Sequence, residues 1–184
     1  MRGPSSIVAT LAALFVSAGS VGAQAVDFAG AEIGLNDGDA IWRVGASADW
    51  EWLPRLLESG RWTLAAHLEL SASYWDGDAG ATGTSSVVEA GFGPLLRFSR
   101  AAPAGGVAPF LELGTGLHLM SSDEIQDLDF DLAFTFGNHI GLGLRFGADA
   151  RCELGYRYYH LSNASLGDMN PGINFHVVRF VYHF

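Results

Sequence analysis

Lysine is absent from this 184-residue sequence: all ten basic residues are arginine, set against 20 acidic ones. A surface so short of cations cannot follow a phosphate backbone, which excludes nucleic acid as a partner. Cysteine is nearly absent. Cys152 stands alone and can form no internal disulfide, so a packed core or a surrounding membrane must hold the chain. Beyond the N-terminus no apolar run is long enough for a transmembrane helix. The one early run, "IVATLAALFVSAGSVGA", follows Arg2 and leads into "AQA" at 23–25. It is short, lacks a charged stop-transfer flank and meets a small-residue cleavage pattern. It reads as a secretory signal peptide over residues 1–25, leaving 26–184 as a single domain. Without Arg2, nine arginines face 20 acidic residues, a net charge of about −11.

What the sequence does have is glycine, at 24 positions, and alternation with period two. Both point to strands and turns. Eight segments emerge, near 27–36, 41–52, 61–75, 86–99, 108–120, 129–146, 150–162 and 173–184. Each has an apolar and a polar face. In the second, Trp42, Val44, Ala46, Ala48, Trp50 and Trp52 oppose Arg43, Ser47, Asp49 and Glu51. In the sixth, Phe130, Leu132, Phe134, Phe136, Ile140 and Leu142 oppose Asp129, Asp131, His139 and Arg145, with Asn138 interrupting the apolar side.

Two barrels satisfy that pattern. A soluble, lipocalin-like barrel would turn the charged face outward; a membrane barrel would turn it inward. Aromatics at the strand ends of the apolar face favour the membrane form: Trp42 and Trp52, Trp62 and Tyr74, Phe130 and Phe146. An eight-stranded barrel encloses room for packed side chains only. Arg43, Glu69, Glu89, Arg97, Glu112, Arg145, Glu153, Arg157 and Arg179 are then expected to pair within it. The chain ends in "FVYHF", which resembles the assembly signal of bacterial outer-membrane barrels. The expected fold is an all-β, eight-stranded antiparallel transmembrane barrel of the bacterial outer membrane. With both termini in the periplasm, the outer loops fall near 37–40, 76–85, 121–128 and 163–172. The inner turns include "LPRLLESG" and "RAAPAGG".

In the seventh segment, Arg151, Glu153, Gly155, Arg157 and Tyr159 share the interior parity. His160 and Ser162 take the other, toward lipid, at the outer end. A regular hairpin places Ser162 near-opposite Asn174 and His160 near His176. Any one of these reads as a polar rim residue. Together they form the set that activates a serine: a nucleophile, a base, and an acceptor that orients the base. Backbone N–H groups of Ala164 and Ser165, with Asn163, are candidate oxyanion donors. His67, His118 and His139 take the interior parity, where a polar network is favoured over metal ligation.

The stretch "YRYYHLSNASLGDMNPGINFHVVRFVYHF" resembles the C-terminal part of the PagL-type lipid A 3-O-deacylases, or acyloxyacyl hydrolases. The His-x-Ser-Asn run, followed about a dozen residues later by an extended Gly-Ile segment, carries the resemblance. "FTFGNHIGLGLRFG" and the eight-strand plan extend it over most of the chain. The resemblance implies an outer-membrane serine esterase that cleaves the ester-linked 3-hydroxyacyl chain at position 3 of lipid A, remodelling lipopolysaccharide. It implies Ser162 as nucleophile and His160 as base, with Asn174 where the family has a glutamate. Lipid A, lipopolysaccharide and outer-membrane lipids are the implied partners; a homodimer is left open. No metal or organic cofactor is expected. The competing functional readings are a non-catalytic structural or adhesive barrel and an esterase acting on phospholipid.

Overall fold

A computed structural model describes residues 26–38, 40–103 and 106–184; the expected signal peptide, 1–25, lies outside the described residues. Ten strands follow in order: β1 (Phe28–Asn36), β2 (Trp42–Ser59), β3 (Trp62–Asp76), β4 (Ser86–Arg100) and β5 (Ala108–Met120), then β6 (Glu124–Ile125), β7 (Leu128–Asp129), β8 (Phe134–Phe146), β9 (Cys152–Ser162) and β10 (Ile173–His183). Eight of them close a barrel in the order β1-β10-β9-β8-β5-β4-β3-β2, every pair antiparallel. β6 and β7 form a small separate hairpin within the β5–β8 loop. The described chain begins and ends at one end of the barrel, where Phe184 N–H donates to Asp27 O, and the longer loops gather at the other, here called the loop end.

The alternation read from the sequence decides the two faces. Outward side chains form an apolar belt: Ile33, Phe92, Leu113, Ile140, Leu142 and Phe180 are each more than half exposed. Inward ones are charged and buried. Arg97 bonds Glu112 and Glu153, both at 2.6 Å. Arg157 bonds Glu112 at 2.5 Å and Glu69 at 2.7 Å. Arg179 donates to Ser47 at 2.6 Å and lies 3.4 Å from Glu69. Arg43 pairs with Glu32 at 2.7 Å, while Glu89 is bonded by His118 and Ser73. The lipocalin alternative requires the reverse arrangement, because a charge in a dry cavity needs a partner and an apolar wall needs shelter from water. This molecule matches a lipid solvent outside and an ionic core inside. Aromatics mark both ends of the wall: Trp42 lies 5.8 Å from Tyr74, and Trp62 stacks on Phe98 at 4.7 Å.

Small residues make room for this core. A Cβ on Gly114 would fall 2.0 Å from the His139 ring, so only glycine lets that imidazole lie against β5. At the loop end the lumen is sealed by an apolar plug that includes Ile41, Trp75, Ile125, Phe130, Leu161 and Phe175.

Four local expectations are corrected. "LPRLLESG" is no turn: β2 runs on to Ser59, and the turn is the Gly60-Arg61 pair, with Gly60 at φ 63°. Register shifts between Glu51 and Leu57 break the alternation there, which disguised a strand as a loop. Phe130 is not on the lipid wall. Asp131 (φ 61°) turns the chain, its N–H bonded to Asp129 Oδ1 at 2.8 Å, and Phe130 is buried in the plug. Arg145 lies opposite Glu153 of β9 without forming an ion pair with it, and donates to Ala150 O at 3.2 Å. Arg151 is exposed, because a short 3-10 turn at Ala148–Ala150 precedes β9.

Candidate active site

β9 carries His160 and Ser162 on its outward face, and β10 brings Asn174 beside them. Asn174 is the direct cross-strand partner of His160, and His176 is that of Tyr158. The expected register is therefore two residues off. A slip of two preserves which face each side chain occupies and changes only its neighbour. His160 Nε2 lies 3.1 Å from Ser162 Oγ. Its Nδ1 lies 2.6 Å from Asn174 Oδ1. All three side chains are half-buried on the wall, next to the loop end.

An amide oxygen only accepts, so His160 Nδ1 carries the proton donated to Asn174. That leaves Nε2 with a free lone pair to accept from the Ser162 hydroxyl. This is the tautomer a serine nucleophile requires. Gly172 (φ 64°) permits the close approach of the incoming chain: a Cβ there would lie 3.1 Å from His160 Cε1. On the other side His160 pairs with Asn138 of β8, which accepts from Thr115 Oγ1 at 2.9 Å. The interruption noted in the sixth segment is thus part of a polar stripe. It crosses the otherwise apolar wall from Thr115 to Asn174.

The turn after Ser162 is tightly built. Asn163 is fully buried, and its Nδ2 donates to Phe130 O and Met169 O, both at 2.7 Å. Its backbone N–H donates to Asn170 Oδ1 at 3.0 Å, and Ser165 N–H donates to Asn163 Oδ1 at 2.9 Å. Ala164 and Ser165 have φ of 54° and 60°. Of the candidate oxyanion donors, those of Asn163 and Ser165 are engaged within the loop. Among the described residues none accepts from the Ala164 N–H.

One residue was missed by sequence reasoning. Asp37, in the β1–β2 loop, accepts from Asn174 Nδ2 at 2.9 Å and from Tyr158 Oη at 3.2 Å. His176 Nε2 lies 3.1 Å from its other oxygen, and His176 Nδ1 lies 2.6 Å from Tyr156 Oη. Asp37 is 137 positions from Asn174, and only closure of β1 on β10 brings the two together. Among the described residues no group of His, Cys, Asp and Glu is arranged to hold a metal ion.

Fold and site together define an eight-stranded membrane barrel with a serine–histidine pair on its lipid-facing wall. The family model for Lipid A 3-O-deacylase (PagL) matches residues 42–183, and the chain belongs to that family. It is 28% identical over 170 residues to the lipid A deacylase PagL of Pseudomonas aeruginosa, covering 92% of this chain and 91% of that one. With the lipid A deacylase PagL of Bordetella bronchiseptica it shares 35% identity over 116 residues, 63% of this chain and 61% of the relative's length. That match spans less than two thirds of the Bordetella protein. A solved structure, that of the outer membrane enzyme PagL, superposes with a TM-score of 0.75 at 22% identity. It covers 85% of this chain and 99% of that one, and shows the shared fold.

Proposed function

We propose that this protein is a lipid A 3-O-deacylase of the bacterial outer membrane. In this reading residues 1–25 direct export, and the loop end faces outward. The observation that carries the reading is the Ser162–His160–Asn174 alignment on the apolar wall, at 3.1 and 2.6 Å. Family membership supports the ester substrate, and the belt supports its location: acyl chains of an outer-leaflet lipid would lie against β8, β9 and β10.

Ser162 Oγ attacks the carbonyl carbon of the 3-O-acyl ester while His160 Nε2 takes the hydroxyl proton. Negative charge develops on the carbonyl oxygen, to be met by N–H donors of the 163–165 turn, with Ala164 the uncommitted one. Asn163 then serves chiefly by pinning that turn to Phe130 and Met169. As the tetrahedral species collapses, His160 returns the proton to the departing sugar oxygen, leaving the acyl group on Ser162. Water, deprotonated by His160, attacks this ester, and a 3-hydroxy fatty acid leaves with the serine regenerated. The Asn174 carbonyl holds the imidazole in place and accepts from Nδ1 throughout.

Mass spectrometry of lipid A from cells producing the wild type or Ser162→Ala tests the reading. Loss of one 3-hydroxyacyl mass with the wild type alone is expected. Unchanged lipid A in both would leave only a structural barrel. Loss of acyl chains from phospholipid instead would reassign the substrate.

A further inference from the structure

The deacylase reading leaves a deficit: a neutral amide occupies the place behind the histidine, where an anion would stabilise the imidazolium formed at each proton transfer. We infer that Asp37 supplies that anion through Asn174 and acts as the positioning residue of the site. The inference rests on the proposed Ser–His chemistry and extends it by one side chain.

Three features support it. Asn174 Nδ2 donates to Asp37 Oδ2 at 2.9 Å, so carboxylate, amide and imidazole form one hydrogen-bonded line ending at Ser162. A carboxylate accepts and does not donate, so Asp37 decides which way the Asn174 amide points. With Nδ2 held toward Asp37, Oδ1 must face His160, and the proton must sit on Nδ1. A reversed amide would present N–H to His160 and favour the tautomer whose Nε2 cannot act as a base. Asp37 thus fixes the tautomer from a distance of two side chains. The charge also polarises the amide, making its oxygen a better acceptor, since hydrogen bonds in a line strengthen one another.

The carboxylate is itself held. Tyr158 Oη donates to the same oxygen at 3.2 Å, His176 Nε2 lies 3.1 Å from the other, and the Asp37 N–H donates to Asn174 O at 3.2 Å. The loop leaving the first barrel strand and the last strand itself therefore contribute to one site, across the closing β1–β10 seam.

The test uses isosteric changes on the full-length protein folded in detergent micelles, with release of 3-hydroxy fatty acid from purified lipid A as the assay. Asp37→Asn removes the charge and replaces an acceptor-only group with one that can also donate, so the direction of the Asn174 amide is no longer fixed, without changing shape. It is expected to lower kcat about tenfold or more, with KM unchanged, as a unit charge acting at this range would. The exchange Asp37→Asn/Asn174→Asp moves the carboxylate next to His160 and the amide behind it. That double variant is expected to recover kcat to within about threefold of the wild type, since an acceptor again meets Nδ1. A purely structural role for Asp37 would give no such recovery. Unchanged kcat in Asp37→Asn, or a double variant no better than the single one, overturns the inference. Retained heat-modifiable migration on unboiled gels shows that each barrel is folded. Ser162→Ala runs alongside. If it is inactive while Asp37→Asn matches the wild type, only the role of Asp37 fails. If the wild type is no more active than Ser162→Ala, the deacylase reading fails and Asp37 falls with it.

Discussion

The lumen and the wall of this barrel treat charge in opposite ways. Inside, arginines and carboxylates interlock at 2.5–2.7 Å: Glu112 alone meets Arg97 and Arg157 within that range, and Arg179 stands 3.5 Å from it. Outside, on the stripe through His160, the titratable base meets a neutral amide, and the nearest carboxylate, Asp37, is itself nearly half exposed. The inner set is buried and densely cross-linked by ion pairs. The outer set is sparse, partly solvated and leaves one proton free to move. Evenly shared charge inside holds a shape; a short, ordered line of groups outside can do chemistry.

Substitutions in each region should therefore fail differently. The largest effect on turnover is expected from Ser162→Ala, at least about 10³-fold in kcat, with the barrel's urea unfolding midpoint unchanged. Glu112→Gln should do the converse. Stripping a buried charge from its partners costs about 3–5 kcal/mol, to be read from the unfolding midpoint, while turnover by the surviving folded fraction stays near wild type. On the wall, Leu142→Arg places a cation against hydrocarbon and should cost about 2–4 kcal/mol in the same unfolding measurement. Asn163→Ala removes the donors to Phe130 O and Met169 O, leaving the buried Phe130 carbonyl unpaired by that amide at a local cost of about 1–3 kcal/mol. Faster hydrogen exchange in 121–131 and 163–172, with the strands still protected, would show that the damage is confined to the loops that Asn163 joins. The smallest effect belongs to His176→Gln. Exposed ion pairs contribute about 0–1 kcal/mol, so kcat should change by no more than about fivefold. A larger loss would mean that Asp37 depends on His176 to hold its carboxylate in place.

The same contrast explains what could be read from sequence. Faces were legible because inward and outward positions alternate, and alternation survives any even slip in register. His160, Ser162 and Asn174 were accordingly placed on one wall before their pairing was known, even though the pairing expected was two residues off. Where a bulge or a left-handed residue breaks the alternation, the reading failed, as at Leu53–Leu57 and at Phe130–Asp131. Asp37 was not legible for a different reason. Closure of the barrel sets the first strand beside the last, but nothing in "NDGD" signals that Asp37 folds across that seam onto Asn174. The outer loops share a further trait visible in sequence alone: Asp78, Asp123, Asp127, Asp129, Asp131 and Asp168 stand there without one arginine. Every cation of the barrel strands near the site is spent on the lumen.

The central claim is that Ser162, on the lipid-facing wall, forms a covalent acyl intermediate. Rapid acid quenching of the wild type mixed with lipid A, followed by mass analysis of the peptide containing Ser162, tests it most directly. That peptide is expected to carry one added 3-hydroxyacyl group, and Ser162→Ala to release no fatty acid. Release of the acid by Ser162→Ala at the wild-type rate, with no acylated peptide in either, would contradict it.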